Sequence, residues 1–450
     1  MTENLTWMEK YYKVVHNNFD TEDIFIKASA YHLVSSLLGR FAICPEHPYQ
    51  SIENMTKPNL MFLLSSPPGA FSRSNIQSCD DVVWQNALKS FYEDTNPMIK
   101  GKTDEDETKP FSELEGFEKK SFLRNFTIQE GTCEGIKDHI GPFCEDYPDL
   151  KFFDFKGDEF GMTLEMMQQG QYQRGLAGLI SKLYDGKSDG QRLSKRKGNR
   201  NRYIPPGVYA TMLCGMQEPD LYIPVSMVRQ GLFRRILVVY TDEKTTYYPL
   251  LCNREGIGEE LKNLAVEIKD IMIKYNSYRE HINCFFSSDL SDTINYSFDK
   301  KYRMNNSKGL LTNVTCTIGS ILTKLCLLEA IQNPMNVHDE DSPLIRIKQE
   351  HYDKAYDFLQ DVMKPWDEIY TRIGRKKEML TDRTDIYARI LDIIKENNGI
   401  INQAKLLKKL NIPAEQFEVI KLDMKKRGEL NYNTIPTKGR PRTDIFIPGK

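Results

Sequence analysis

At 450 residues the chain is longer than the roughly 250–300 residues at which single cores stop growing, so two to four domains are expected. An apolar content of 40% and a charged content of 28% are those of folded globular chains and exclude a wholly disordered one. The formal net charge of −2 excludes strong attraction of the whole molecule to nucleic acid, so any such binding must come from local tracts of charge.

In chain order, Asn4 to about Phe41 reads as helix, with Trp7, Tyr11, Val14 and Val15, then Ile24, Ile26, Ala28, Tyr31, Leu33 and Leu37, at helical spacing. Pro45, Pro48 and Pro58 end that pattern. Asn59 to Leu64 is a continuous apolar run closed by Ser65-Ser66-Pro67-Pro68-Gly69, which predicts a buried strand entering a tight turn. Asp80 to Tyr92 has the spacing of a helix. Ile99 to Glu118 is polar and acidic and reads as a surface insertion, and the stretch from Phe122 to Gly141 reads as a short strand and turn.

Phe152, Phe153 and Phe155 make a second apolar strand, interrupted by Asp154 and Lys156 and ending at Asp158-Glu159. Two carboxylates at a strand end suit a magnesium-bound water; the same pair also suits a helix N-terminus, where the dipole favours acids. Leu164 to Tyr184 is helical and stops at Asp185-Gly186. Lys187 to Arg202 then carries seven basic residues (Lys187, Arg192, Lys195, Arg196, Lys197, Arg200 and Arg202) against one acid, Asp189. Gly198-Asn199 is placed to turn a hairpin with a cationic tip. Such a tract is read either as a solvated loop or as a phosphate contact, and crowding of like charge favours an anionic partner, DNA.

Val208 to Leu213 is a third strand, followed by the amide side chain of Gln217. A helix around Val225 to Gly231 leads to Arg234-Arg235 and a fourth apolar strand, Ile236 to Tyr240. Glu259–Tyr278, Asp289–Met304, Asn313–Gln332 and Gln349–Ile373 read as four helices. From Thr384 the pattern becomes three short helices, placed at Ile386–Ile394, Gln403–Leu410 and Ala414–Arg427. Two strands follow, Gly428–Tyr432 and Thr443–Ile447, joined by a turn containing Arg440 and Arg442. That plan is a winged helix, whose third helix enters the major groove. From Arg372 onward eighteen basic residues face ten acidic ones, and arginines flanking a rigid wing tip suit a minor-groove or phosphate contact.

The order of these motifs, from about Asn59 to the C-terminus, resembles the ATPase core of the minichromosome-maintenance (MCM) helicases and of related helicase-like proteins encoded by plasmids and viruses. The resemblance implies an α/β, P-loop (AAA+-like) core with a helical lid and a C-terminal winged helix. The segments would be 1–45 (N-terminal helices), 46–255 (core), 256–375 (lid) and 376–450 (winged helix). It implies a degenerate Walker A loop with Gly69, Arg73 and Ser74 as nucleotide-binding residues, Arg73 standing for the usual lysine and Ser72 for the second glycine. Lysine and arginine present charge in different geometries, so this loop should bind phosphate poorly.

By the same resemblance Asp158 and Ser74 would hold Mg2+, Glu159 would polarise the attacking water, Gln217 would be the sensor at the next strand end, and Arg234 would reach the nucleotide of a neighbouring subunit. ATP and Mg2+ are the implied cofactors. DNA is the implied partner, contacted by Arg192, Lys195, Arg196, Lys197, Arg200 and Arg202 and by Arg440 and Arg442. A homo-oligomer, in the form of a hexameric ring, is implied as well. The lid arginine of the family is missing, since Asn313, Val314 and Thr315 occupy its place. The expected function is a DNA-binding replication protein of a mobile element with impaired or lost ATPase. The alternatives are a non-enzymatic DNA-binding protein and a winged-helix adaptor that docks a protein.

Nine scattered cysteines, with no Cys-x-x-Cys pair and no Cys/His cluster, argue against zinc and disulfides and for a reducing compartment. No apolar run approaches the ~20 residues of a membrane span. A cytoplasmic protein without a membrane partner is expected.

Overall fold

The apolar run after Pro58 forms the strand Met61–Ser65, buried along its whole length. It belongs to a five-stranded sheet in the order Thr127–Ile128, Phe152–Gly157, Tyr209–Met216, Met61–Ser65, Ile236–Tyr240, parallel throughout. The computed structural model describes residues 5–44, 57–67, 73–100, 108–128, 131–169, 174–189, 203–245, 256–278, 280–303, 309–338, 342–397, 399–410, 414–435 and 442–448. Near-continuous apolar sequence is what strands covered on both faces require, and Tyr209–Met216 and Ile236–Tyr240 are buried at every position.

The strand that comes first in the chain lies fourth across the sheet. The connection from it to the second strand therefore runs in the opposite direction to the three later connections. Because such crossovers are right-handed, helix Arg73–Thr95 lies on one face and helices Cys133–Asp146, Phe160–Gln169 and Arg174–Asp185 lie on the other.

The face bearing Arg73–Thr95 is filled by helix Asp23–Leu38, which is apolar and buried nearly all round, as a helix inside a large core must be. It touches four of the five strands and helices Arg73–Thr95, Ile318–Ile331 and Gln349–Met363. Helix Trp7–Asn18, opened by a capping box between Thr6 and Glu9, packs against Asp23–Leu38 and Ile257–Asn276. The Trp7 indole N–H donates to the Leu264 carbonyl at 2.9 Å.

The structure departs from the sequence expectation at three places. Residues expected as strand and turn form helix Cys133–Asp146, capped by the Thr132 hydroxyl; Ile136, Ile140 and Phe143 keep the helical period that Gly135, Gly141 and Pro142 obscure. The acidic insertion contributes the strand pair Met98–Lys100 and Thr108–Pro110 and a fully buried Phe111. A second sheet, ordered Ala42–Ile43, Ile282–Phe286, Leu344–Ile347, Val337–His338, was not expected at all. Its strands are two to five residues long and come from parts of the chain more than 200 residues apart.

The helices expected between residues 259 and 373 are observed as Ile257–Asn276, Ser288–Asp292 continued through a π-helical stretch to Lys300–Arg303, Leu310–Thr315, Ile318–Ile331, and Gln349–Met363 followed, after a break, by the start of Trp366–Glu396. Met1–Ile373 is one compact unit with one apolar interior. The N-terminal helices, the parallel sheet and the helices expected as a lid thus share a core.

The second unit is Gly374–Lys450. It holds the end of helix Trp366–Glu396, strand Ile400–Asn402, helices Gln403–Leu410 and Ala414–Lys426, and strands Asn431–Ile435 and Arg442–Phe446. The three strands form an antiparallel sheet with Arg442–Phe446 in the middle. Ile390, Ile394, Ile401, Leu406, Leu410, Phe417, Ile420, Met424, Leu430 and Ile445 make a core of its own. Gly428, at φ 72°, ends the Ala414–Lys426 helix in the left-handed conformation that favours glycine at such a stop. Among the described residues no helix is long and apolar enough to cross a membrane.

Candidate functional site

Ser65 pairs with Met216 on one side and Tyr240 on the other, and Gly157 pairs with Cys214. Ser66-Pro67, Asp158-Glu159, Gln217 and Asp242 therefore leave the sheet at one edge, the carboxyl edge. The chain departs from Met61–Ser65 towards one face and from Tyr209–Met216 towards the other. Adjacent strands whose connections diverge in this way open a crevice, and in open α/β sheets ligands bind there.

The crevice floor is fixed by short-range bonds. The Ser65 hydroxyl donates to the Gln217 carbonyl, and the Thr241 amide donates to the Ser65 carbonyl at 3.3 Å. Gln77 Nε2 donates to the Gly157 carbonyl at 3.1 Å. Tyr222 donates its hydroxyl to Gln217 Oε1 at 3.4 Å, which orients the amide. With its backbone held, the Asp158-Glu159 pair is exposed to solvent at the edge.

Arg73 and Ser74 open the helix that follows the first strand. Arg73 is half-buried, and its Nη1 donates back to the Leu64 carbonyl at 3.4 Å. Burial draws its guanidinium below arginine's ordinary pKa, and the nearby Glu159 carboxylate opposes that shift. Ser74 is exposed, and its carbonyl accepts from the Ser78 hydroxyl at 2.8 Å. Gly69 lies outside the described residues. The fold thus brings Arg73, Ser74, Asp158, Glu159 and Gln217 to one edge.

It does not bring Arg234 there. Arg234 precedes Ile236, which pairs with Met61 at the amino edge, and a five-residue strand separates the two edges by about 15 Å. The two neighbouring arginines also differ. Arg235 forms a bidentate pair with Asp185, at 3.0 and 2.7 Å, and donates to the Gly231 carbonyl at 2.9 Å. Its charge overrides burial and holds Asp185 below the usual carboxylate pKa. The Arg234 side chain has no hydrogen bond or ion pair among the described residues; only its carbonyl is used, by Thr317 Oγ1 at 2.8 Å.

The position expected for a lid arginine falls on helix Leu310–Thr315, where Val314 and Thr315 are buried. Arg192, Lys195, Arg196, Lys197, Arg200, Arg202 and Arg440 lie outside the described residues. Asp189 and Ile204, described residues on either side of Arg192 to Arg202 in the basic tract, exchange both backbone hydrogen bonds, at 3.1 and 2.9 Å. Asp189 is anchored there by Lys137, at 2.6 Å, and by Lys182. Arg442 begins a strand opposite Ile435.

Asp154 and Lys156 interrupt an apolar strand because they belong to a buried charge network. His32 Nδ1 lies 2.8 Å from Asp80 Oδ2, and its Nε2 lies 2.7 Å from Asp154 Oδ1. Thr211 donates to Asp154 Oδ1 at 3.0 Å. Lys156 donates to Asp80 Oδ1 at 3.0 Å and to Asp81, and it stands over the Trp84 ring at 4.7 Å. His32 is 0% exposed and both Asp80 and Asp154 are 1% exposed.

Burial by itself would lower the imidazole pKa, but the Asp154 and Asp80 carboxylates override it and hold His32 up at about 9. Burial likewise opposes the Asp80 charge, and His32 and Lys156 overcome it, keeping that carboxyl below its ordinary pKa. An imidazolium between two carboxylates therefore joins helices Asp23–Leu38 and Arg73–Thr95 to strand Phe152–Gly157, which leads into Asp158. The signal in the sequence was Asp154 and Lys156 at i and i+2, on one face of a strand, with His32 in the middle of an apolar helix.

Among the described residues no cluster of three or more His, Cys, Asp and Glu side chains is built to hold a metal ion. A magnesium ion at Asp158 would draw its other ligands from a hydroxyl such as Ser74, from water and from bound phosphate, a donor set that Mg2+ accepts. No protein-family model matches the chain, and a search of curated proteins gives no match.

Proposed function

We propose that this chain is a DNA-binding replication protein of a mobile element, MCM-like in plan, whose P-loop ATPase-type core has weak or lost hydrolysis and whose C-terminal unit is a winged helix. One observation carries this: the sheet order sets Arg73, Ser74, the exposed Asp158-Glu159 pair and Gln217 around a single crevice at the carboxyl edge. In that crevice Ser74 and Asp158 would hold Mg2+, Glu159 would orient a water, and the Gln217 amide would face the phosphates. Bound Mg2+ supplies neutralising charge for phosphoryl transfer. Arg234, at the opposite edge, would serve a site in a second copy, which supports an oligomer. The three helices and three-stranded sheet of Gly374–Lys450 support the winged-helix reading.

Loss of hydrolysis is supported by Arg73, whose guanidinium turns back to the Leu64 carbonyl, and by the lid position, which offers buried Val314 and Thr315 in place of a cation. Missing charge stabilisation at a phosphoryl transition state commonly costs orders of magnitude in rate. The test is ATP binding and turnover by purified protein, with and without DNA. Turnover should be absent or far below 1 s⁻¹, and Ser72→Gly combined with Arg73→Lys should raise nucleotide binding. DNA-stimulated turnover of order 1 s⁻¹ or faster, abolished in Glu159→Gln, would overturn the inactive-core reading.

A further inference from the structure

We infer that the C-terminal unit holds double-stranded DNA by its phosphates, on the lysine face of helix Gln403–Leu410, and that helix Ala414–Lys426 does not read bases. This rests on the DNA-binding reading above and adds to it the surface and the mode of binding.

Lys405, Lys408 and Lys409 stand at i, i+3 and i+4 on helix Gln403–Leu410, hence on one face. All three are exposed, while Leu406 and Leu410 on the other side enter the core at 0% and 4% exposure. The helix sequence, Gln-Ala-Lys-Leu-Leu-Lys-Lys-Leu, contains no acid. None of the three lysines has an ion pair or hydrogen bond from its side chain among the described residues. Among the described residues nothing neutralises their charge, which suits the face to an external anion.

Helix Ala414–Lys426 is the element that a winged helix ordinarily sends into the major groove, N-terminal residues foremost. Here Glu415, Glu418 and Asp423 balance Lys421, Lys425 and Lys426, and two of those acids lie in its first turns. Two of its three cations are also in use within the unit, and the third, Lys426, is exposed at its C-terminal end. Lys421 is 6% exposed, lies 2.7 Å from Glu418 and 3.2 Å from Gln403 Oε1, and sits over the Tyr432 ring at 4.6 Å. Lys425 stands over the same ring at 4.3 Å. Just beyond the helix, Arg427 pairs with Asp423 at 2.8 Å and covers the Tyr387 ring at 5.4 Å. A helix with no net charge gains little from a phosphate-lined groove, whereas a three-lysine face is attracted to it. Phosphate contacts position a protein without specifying sequence, so this unit should bind duplexes of different sequence alike.

The full chain is titrated with two duplexes of unrelated sequence across a salt series. The parent should bind both within about threefold. The triple variant Lys405→Ala, Lys408→Ala, Lys409→Ala should flatten the log-affinity against log-salt slope by up to about 3 units, since each neutralised phosphate contributes about 0.9. Lys405→Arg, Lys408→Arg, Lys409→Arg, which keeps the charge, should retain the parent slope; a loss there as large as in the alanine variant overturns the inference. So does an alanine variant with the parent slope, or a Leu422→Ala variant that changes preference between the duplexes, Leu422 being 49% exposed on helix Ala414–Lys426. A parent that binds no duplex sinks the DNA reading itself. A parent that binds polyglutamate as tightly as duplex, with the same dependence on the three lysines, assigns the face to acidic proteins and overturns the inference alone.

Discussion

Gly215 stands against the backbone of Asp158: a Cβ at position 215 would lie 2.6 Å from the Asp158 carbonyl oxygen and 3.5 Å from Gln77 Nε2. No side chain fits there without moving the peptide that carries the candidate magnesium ligand. Gly215→Ala should therefore destabilise the first unit by about 1–3 kcal/mol, the range for overpacking a tight interior. It should also weaken nucleotide binding. Gln77→Ala removes only one hydrogen bond and should cost about 1 kcal/mol. Thermal melts and nucleotide titrations of the two variants would check this; a Gly215→Ala protein equal to the parent in both would show that the loop is free to shift.

The pair His32 and Asp154 gives a second expectation. Removing one member of a buried ion-pair network weakens the compensation of those that remain, so Asp154→Ala, which leaves Asp80 beside His32, should cost up to about 3–5 kcal/mol in a urea melt. The pH dependence follows from the raised His32 pKa, about 9 in the folded protein against an ordinary 6.5. Its contribution to stability is fully present below about pH 6.5 and is lost as pH rises through about 9. The stability gap between the parent and His32→Gln should accordingly be widest below pH 6.5 and should narrow towards pH 9. A gap constant over that window would mean that His32 is neutral in the fold.

Neighbouring arginines should behave differently. Arg235→Ala breaks the bidentate pair with Asp185 and should destabilise the protein by about 2–3 kcal/mol. Arg234→Ala breaks no hydrogen bond or ion pair among the described residues, so it should cost less, about 0.5–1 kcal/mol, and should lower nucleotide-dependent assembly in sedimentation runs. Equal melting losses in both variants would remove Arg234 as a group held in reserve for a second copy.

The basic tract is expected to make a sequence-independent DNA contact. If Lys195, Arg196, Lys197 and Arg200 each neutralise a phosphate, replacing all four by alanine should flatten the salt slope by up to ~3–4 units. The loss should be larger in an assembled form, where several copies act on one DNA. A quadruple variant with the parent's slope, at matched oligomeric state, would identify the tract as a solvated loop.

Much of the α/β plan could be read from local sequence, because an apolar run or a helical period reports directly that a segment is buried. Asn59 to Leu64, Tyr209 to Leu213 and Ile236 to Tyr240 announced strands, and Asp158-Glu159 stood out as acids at a strand end. What such patterns cannot report is the distant partner that covers a segment. Ile282–Phe286 is a strand because Ala42–Ile43 and Leu344–Ile347 flank it. Asp154 and Lys156 looked like faults in a strand until helix packing set His32 and Asp80 beside them. Arg234 and Arg235 are alike in sequence, and only the position of Asp185 decides which is a structural tie. The sequence by itself therefore determined which segments are buried and where charge is concentrated. The tertiary structure alone decided which charges neutralise each other, since Coulomb attraction and hydrogen bonding act through a separation in space that the chain index does not carry.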